Sequence, residues 1–210
     1  MLPLAPTAVA TPRRSSELRQ QEIVEVVLAL AVEKGVEAIT TTLIAERMGL
    51  TQGAVFRHFP NKEAIWTAVL DWLKGNMADI FQRRPDTPPL AEIERIYMGY
   101  MDFITVYPAM PRLVFSDTIH HAYPTLHRSV REMIAGCEAR FRALIIEAAE
   151  AGEVQPGRAA AGAKLLLTTI QGLAFQSAIL GLVPDPCREG PRLFALWRAA
   201  LTCNEMPDHD

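Results

Sequence analysis

Apolar residues recur at helical spacing along nearly the whole chain, and the repeats are broken by glycines and prolines. Ile23, Val26, Val27, Leu30 and Ala31 fall at i, i+3, i+4, i+7 and i+8, and Gly35 follows Lys34 where a helix should stop. This predicts a first helix from about Glu17 to Lys34. A second, short helix should start at a threonine cap within Ile39-Thr40-Thr41-Thr42, run through Ile44 to Met48 and end at Gly49. Leu43 supplies no acid for a capping box. Thr51 can cap a third helix, Gln52 to His58, and Pro60-Asn61 separates it from a fourth, Lys62 to about Phe81.

Pro85, Pro88 and Pro89 put three prolines into five residues, so Arg83 to Pro89 cannot continue a helix. Composition places a domain boundary at this linker or slightly before it. Apolar-periodic stretches follow at 90–106, 109–115, 124–151, 158–180 and 191–203. Nine helices and no strand are expected, giving an all-α fold. The division expected is a flexible arm (1–16), a three-helix N-terminal unit (17–64), a second helical domain (65–204) and a tail (205–210).

Of the 210 residues, 50% are hydrophobic, enough for a sizeable core. Three cysteines without short paired spacing build neither a disulfide framework nor a zinc finger, which fits a reducing cytoplasm. The longest apolar stretch, Leu165 to Leu182, is interrupted by Thr168, Thr169, Gln171, Gln176 and Ser177, so no membrane partner is expected. Arg13-Arg14 follows the apolar N-terminal residues instead of preceding them, the wrong order for a secretory signal. Net charge is +1 over residues 1–84 and −4 over the remainder, which permits a DNA contact at the N-terminal end without demonstrating one.

Two very short helices joined by Gly49-Leu50-Thr51 form a helix-turn-helix pattern, in which a short helix is presented to the major groove. Val55 and Phe59 can share a core face, leaving Gln52, Gly53, Ala54, Phe56 and Arg57 largely outward. Such a surface suits close approach to another molecule.

The run from Thr40 to Lys62 resembles the DNA-binding signature of the tetracycline-repressor (TetR/AcrR) family of bacterial transcription regulators. The resemblance rests on Ile44-Ala45, Gly49, Thr51, Gly53, an aromatic residue at 56, His58-Phe59 and Lys62 in one ungapped register. It implies that Thr40 and Thr42 meet phosphate or a base edge, and that Gln52 is the leading base reader, pairing with adenine N6 and N7. Thr51, Arg57 and His58 would contact phosphate or neighbouring bases. Gly53 would let the backbone come close, Ala54 and Phe56 would belong to the same DNA-binding surface, and Lys62 would hold a phosphate at a helix N-terminus. Position 56 is usually tyrosine in the family; Phe56 lacks the hydroxyl that reaches a phosphate, and Arg57 and Arg14 are candidates to compensate.

The same resemblance implies a second domain that binds a small, largely apolar effector and dimerises, with no cofactor. Tyr100, Met101, Ile104, Phe115, Met133, Cys137, Gln171 and Phe175 are the candidate ligand residues. Leu166, Ile170, Leu173, Phe194, Trp197 and Leu201 are the candidate dimer interface, because the helix at 158–180 is apolar on more than one face and, by the resemblance, would form a four-helix interface with the last helix. The expected function is a ligand-responsive homodimeric repressor on a palindromic operator, not an enzyme. Two alternatives compete: a metal-dependent enzyme using Asp117, His120 and His121, and a ligand-independent DNA-binding or interaction module.

Overall fold

The computed structural model describes residues 16–183 and 185–203. The arm with Arg13 and Arg14, and the tail, lie outside the described residues apart from Ser16. Ten helices are present among the described residues, and no strand: α1 (Ser16–Lys34), α2 (Thr41–Met48), α3 (Gln52–Phe56), α4 (Lys62–Phe81), α5 (Pro89–Val106), α6 (Ala109–Val114), α7 (Asp117–Ala122), α8 (Pro124–Glu150), α9 (Ala159–Ala178) and α10 (Pro186–Thr202). No helix among these residues is long and apolar enough to cross a membrane.

The all-α expectation holds with one helix more than the nine expected. The added helix is α7: Ser116 accepts from the Ile119 amide at 3.3 Å and caps a six-residue turn that the nearby Pro124 does not prevent. Helix α10 also begins five residues before Pro191. The Asp185 carboxylate accepts from the Cys187 amide at 2.9 Å, and Pro186 occupies the first helical position, where a missing N–H costs nothing. Pro191 then sits in the second turn and removes a single backbone bond.

Ile23, Val27 and Leu30 of α1 are buried with Ile44 and Ala45 of α2, Val55 of α3, Phe59, and Ile65 and Val69 of α4. Helices α5, α8, α9 and α10 pack together through Tyr97, Phe141, Leu144, Leu166, Ile170, Phe194 and Trp197. Trp197 Nε1 donates to the Gly162 carbonyl at 2.9 Å. A side chain added at Gly190 would meet Met101 Cγ at 2.8 Å, so glycine permits the close α5–α10 approach. Helix α6 lies against both α1 and α9, and Thr118 of α7 donates to Glu37 at 3.0 Å, so the first helices are joined to the rest at more than one point.

The proline-rich linker is tightly held. Glu92 of α5 is fully buried, and its carboxylate accepts from Arg95 at 2.7 and 2.9 Å and from the Arg84 amide at 3.2 Å. Arg95 in turn donates to the carbonyls of Ile80 and Gln82, each at 2.9 Å, where α4 ends. Glu153 accepts from the Leu90 amide at 2.8 Å at the start of α5. The Arg95 guanidinium holds the Glu92 carboxyl below its ordinary pKa despite burial. A carboxylate with a lowered folded pKa stabilises the fold fully above its unfolded value and progressively loses that contribution as pH falls through the folded one.

Removing Arg95, which is half-buried, leaves the fully buried Glu92 carboxylate uncompensated. Arg95→Met is therefore expected to lower unfolding free energy by about 3 kcal/mol in denaturant titrations near neutral pH. Glu92→Gln should flatten the loss of stability between about pH 5 and pH 2 that the parent protein shows.

Candidate nucleic-acid interface

Threonine caps build the short helices. Thr40 Oγ1 accepts from the Leu43 amide at 3.1 Å, and Thr51 Oγ1 accepts from the Ala54 amide at 3.2 Å. Gly49 closes α2 at φ +64°, a left-handed conformation that favours glycine, while the Leu50 amide donates back to the Ala45 carbonyl at 2.8 Å. These constraints turn the chain within three residues and seat α3 against α2. Val55 and Phe59 are buried, anchoring α3 from below, as their spacing predicts.

Thr40, Thr42, Thr51, Gln52, Gly53, Phe56 and Arg57 are exposed, and Ala54 is half-buried. Gln52 Nε2 donates to Thr41 Oγ1 at 2.8 Å, bringing the first turns of α2 and α3 together. The amide oxygen of Gln52 is thereby the more available half of the side chain, an acceptor suited to an exocyclic base amine. Bidentate pairing with adenine would require that internal bond to be shared or given up. Thr41 is the residue that sequence reasoning missed; three consecutive threonines gave no signal of which one would serve Gln52.

His58 is held against α1: Ser16 Oγ lies 3.2 Å from its Nδ1, and Gln20 donates to its carbonyl at 3.0 Å. Its ring therefore joins the turn after α3 to the first helix. Lys62 opens α4 behind the Asn61 cap, which accepts from the Ala64 amide at 2.8 Å. Partial burial pulls the Lys62 ammonium below its usual pKa, so a phosphate beside it would restore a favourable environment for the charge.

In the second half of the chain, Tyr100, Phe115, Met133, Cys137 and Gln171 line one apolar cavity together with Met110, Ile170 and Ala174. Phe175 lies edge-on to Phe115, ring centroids 5.4 Å apart, at its rim. Met101 and Ile104 are buried but do not line the cavity; Met101 instead abuts Gly190 of α10. Burial raises the Tyr100 hydroxyl and pushes the Cys137 thiol up to about 11, so both stay neutral. The free volume is about 20 Å³, room for roughly one water molecule.

The proposed dimer residues require a correction. Leu166, Ile170, Leu173, Phe194, Trp197 and Leu201 are all buried within their own chain. These two helices bury one stripe in the intramolecular core, and their large exposed apolar side chains are Leu165 and Phe175 on α9 and Leu196 on α10, with Ile179 just past the end of α9. Asp117, His120 and His121 also fail to converge. Asp117 and His121 form an exposed pair at 3.2 Å, whereas the His120 ring stacks on His127 at 4.9 Å. Among the described residues no group of three or more His, Cys, Asp or Glu side chains is placed to hold a metal ion.

Residues 23–69 match the family described as bacterial regulatory proteins, tetR family. The chain is 24% identical over 161 residues to the nucleoid occlusion factor SlmA of Glaesserella parasuis, covering 75% of this chain and 78% of that protein. It superposes on a TetR-family transcriptional regulator from Marinobacter aquaeolei with a TM-score of 0.74 at 20% identity, covering 88% of this chain and 91% of the other. The ketosteroid transcriptional regulator KstR2 of Mycobacterium tuberculosis gives a TM-score of 0.70 at 19% identity, covering 94% and 100%.

Thr51→Ala is expected to cost about 1 kcal/mol of stability without any DNA present, with Thr51→Ser close to the parent in thermal melts. That result separates the capping role from any contact with a ligand. A match to the tetR family over the helix-turn-helix, carried on an all-helical fold shared with solved transcriptional regulators, is what this chain has in common with that family.

Proposed function

We infer that the protein is a ligand-responsive repressor that binds a palindromic operator as a homodimer and is released by a largely apolar small molecule, in the cytoplasm. The observation that carries this reading is the union of the first turns of α2 and α3 through Gln52 and Thr41, with Thr40, Thr42, Thr51, Gly53, Phe56 and Arg57 exposed around it. A short helix presented this way can enter a major groove with its first residues at base edges. Gln52 would accept from adenine N6 or cytosine N4. Lys62 and Arg57 would sit on phosphates, and the threonines beside them would fix the register.

One such helix reads only a few base pairs. Two copies related by a twofold axis, about 34 Å or a multiple apart, supply usable specificity. Leu196 is 69% exposed and Leu165 50%, a level of exposure on two adjoining helices that a second copy would relieve.

A ligand of ordinary size needs a site of roughly 300–1,000 Å³, far larger than the closed cavity. Entry therefore has to part Phe115 from Phe175 and separate α6 from α9. Since α6 also lies against α1, a ligand that prefers the opened state would shift the first helices and change the spacing of the two recognition helices. The neutral lining by Tyr100, Met133 and Cys137 favours an apolar effector, with Gln171 as its one orienting amide.

Selection of sites from random duplex DNA by the full-length protein tests the reading. An enriched palindrome is expected, and salt-insensitive or sequence-blind binding would contradict it. On the enriched site Gln52→Ala should lose about 1–3 kcal/mol and relax base preference, while Lys62→Ala should weaken all sequences alike and reduce the salt slope by about one. Leu196→Asp should halve the mass measured by sedimentation and reduce operator affinity with it.

A further inference from the structure

Phe56 has no role in the protein's own packing that accounts for its exposure. It closes α3, where Val55 on the adjoining position is fully buried and Phe59 is nearly so, while Phe56 itself remains 43% exposed. Its neighbours on the outward surface, Gly53 and Ala54, are small and offer it no cover. A large aromatic ring left in water at the centre of a contact surface gains most when something apolar covers it.

The proposed DNA-binding reading, on which this inference rests, limits what that something can be. The base edges of the major groove present ring nitrogens, carbonyl oxygens and exocyclic amines, and among the four pairs a single apolar substituent, the C5-methyl of thymine. The ring has no hydroxyl with which to approach a phosphate, so its favourable contact is with a base edge and not with the backbone. Gln52, one helical turn earlier on the same short helix, has its amide nitrogen bound to Thr41 and its oxygen available. The two side chains thus present different chemistries to the groove, an acceptor and an apolar face.

We propose that Phe56 is a specificity-determining residue that reads a thymine C5-methyl in each half-site of the operator. Selectivity at that position comes from covering a methyl group, and no hydrogen bond is involved. The readout is insensitive to salt, in contrast to the contacts made by Lys62 and Arg57.

Deoxyuridine differs from thymidine only by that methyl and leaves base pairing unchanged, which isolates the contact. Full-length protein would be titrated against the duplex enriched from the random pool, and against versions in which deoxyuridine replaces thymidine at one symmetric pair of positions at a time. One pair is expected to weaken binding about fourfold per half-site, roughly fifteenfold for both, with the salt slope unchanged. In Phe56→Ala the same replacement should have no effect. Deoxyuridine tolerated at every position of a tightly bound palindrome would overturn the proposal and leave the DNA-binding reading standing. A loss that persists in Phe56→Ala would assign the methyl to another residue and overturn it equally. Failure to enrich any site would overturn the DNA-binding reading and the proposal together.

Discussion

The ion pair between buried Glu92 and half-buried Arg95 governs how α4 meets α5. Helix α4 begins at Lys62, shortly after α3, and ends at Phe81, and its last carbonyls are among the groups Arg95 takes up. Left bare, those carbonyls would fray the end of α4 and let the first helices drift relative to α5. With Glu92 fixing the guanidinium and the Arg84 amide fixing Glu92, the direction of α4 is determined by α5 and thus by the helical core. Position and tilt of the short helices at the other end of α4 follow from that anchor.

A second path runs along the opposite side. Helix α6 touches α1 and α9 at once, and its neighbour α7 holds Glu37 through Thr118. The cavity lies where α6, α8 and α9 converge with α5, so enlarging it moves an element that bears on the first helices. In the function proposed above, α4 would serve as the fixed pivot and α6 as the contact that a ligand displaces. Coupling is then limited by how strongly a ligand prefers the opened cavity.

Much of this was legible in the residues. The glycine at 49, the threonines at 40 and 51 and the proline at 60 each have one strong local reading, and the structure uses them in that way. Five of the eight proposed pocket residues, Tyr100, Phe115, Met133, Cys137 and Gln171, line one cavity because the apolar-periodic stretches that carry them, from α5 to α9, pack their inward faces together. The dimer residues were not legible: helices with several apolar faces give no indication of which stripe their own chain claims, and the core took Leu166, Ile170 and Trp197. Glu92 and Arg95 escaped notice because charges one turn apart on a helix normally signal a solvated pair. Each directly precedes a buried isoleucine, Ile93 and Ile96, and that adjacency was the available hint. Helix α10 escaped in part because proline at 191 suggested a start, whereas the cap was Asp185.

The central claim is that two copies of one recognition surface engage DNA across a twofold axis. Hydroxyl-radical footprinting of the protein on its enriched duplex tests it most directly. The account predicts two protected patches, equal in extent and related by a dyad, with centres a whole number of helical turns apart on one face of the duplex. A single patch, or even protection along the whole duplex, would contradict it.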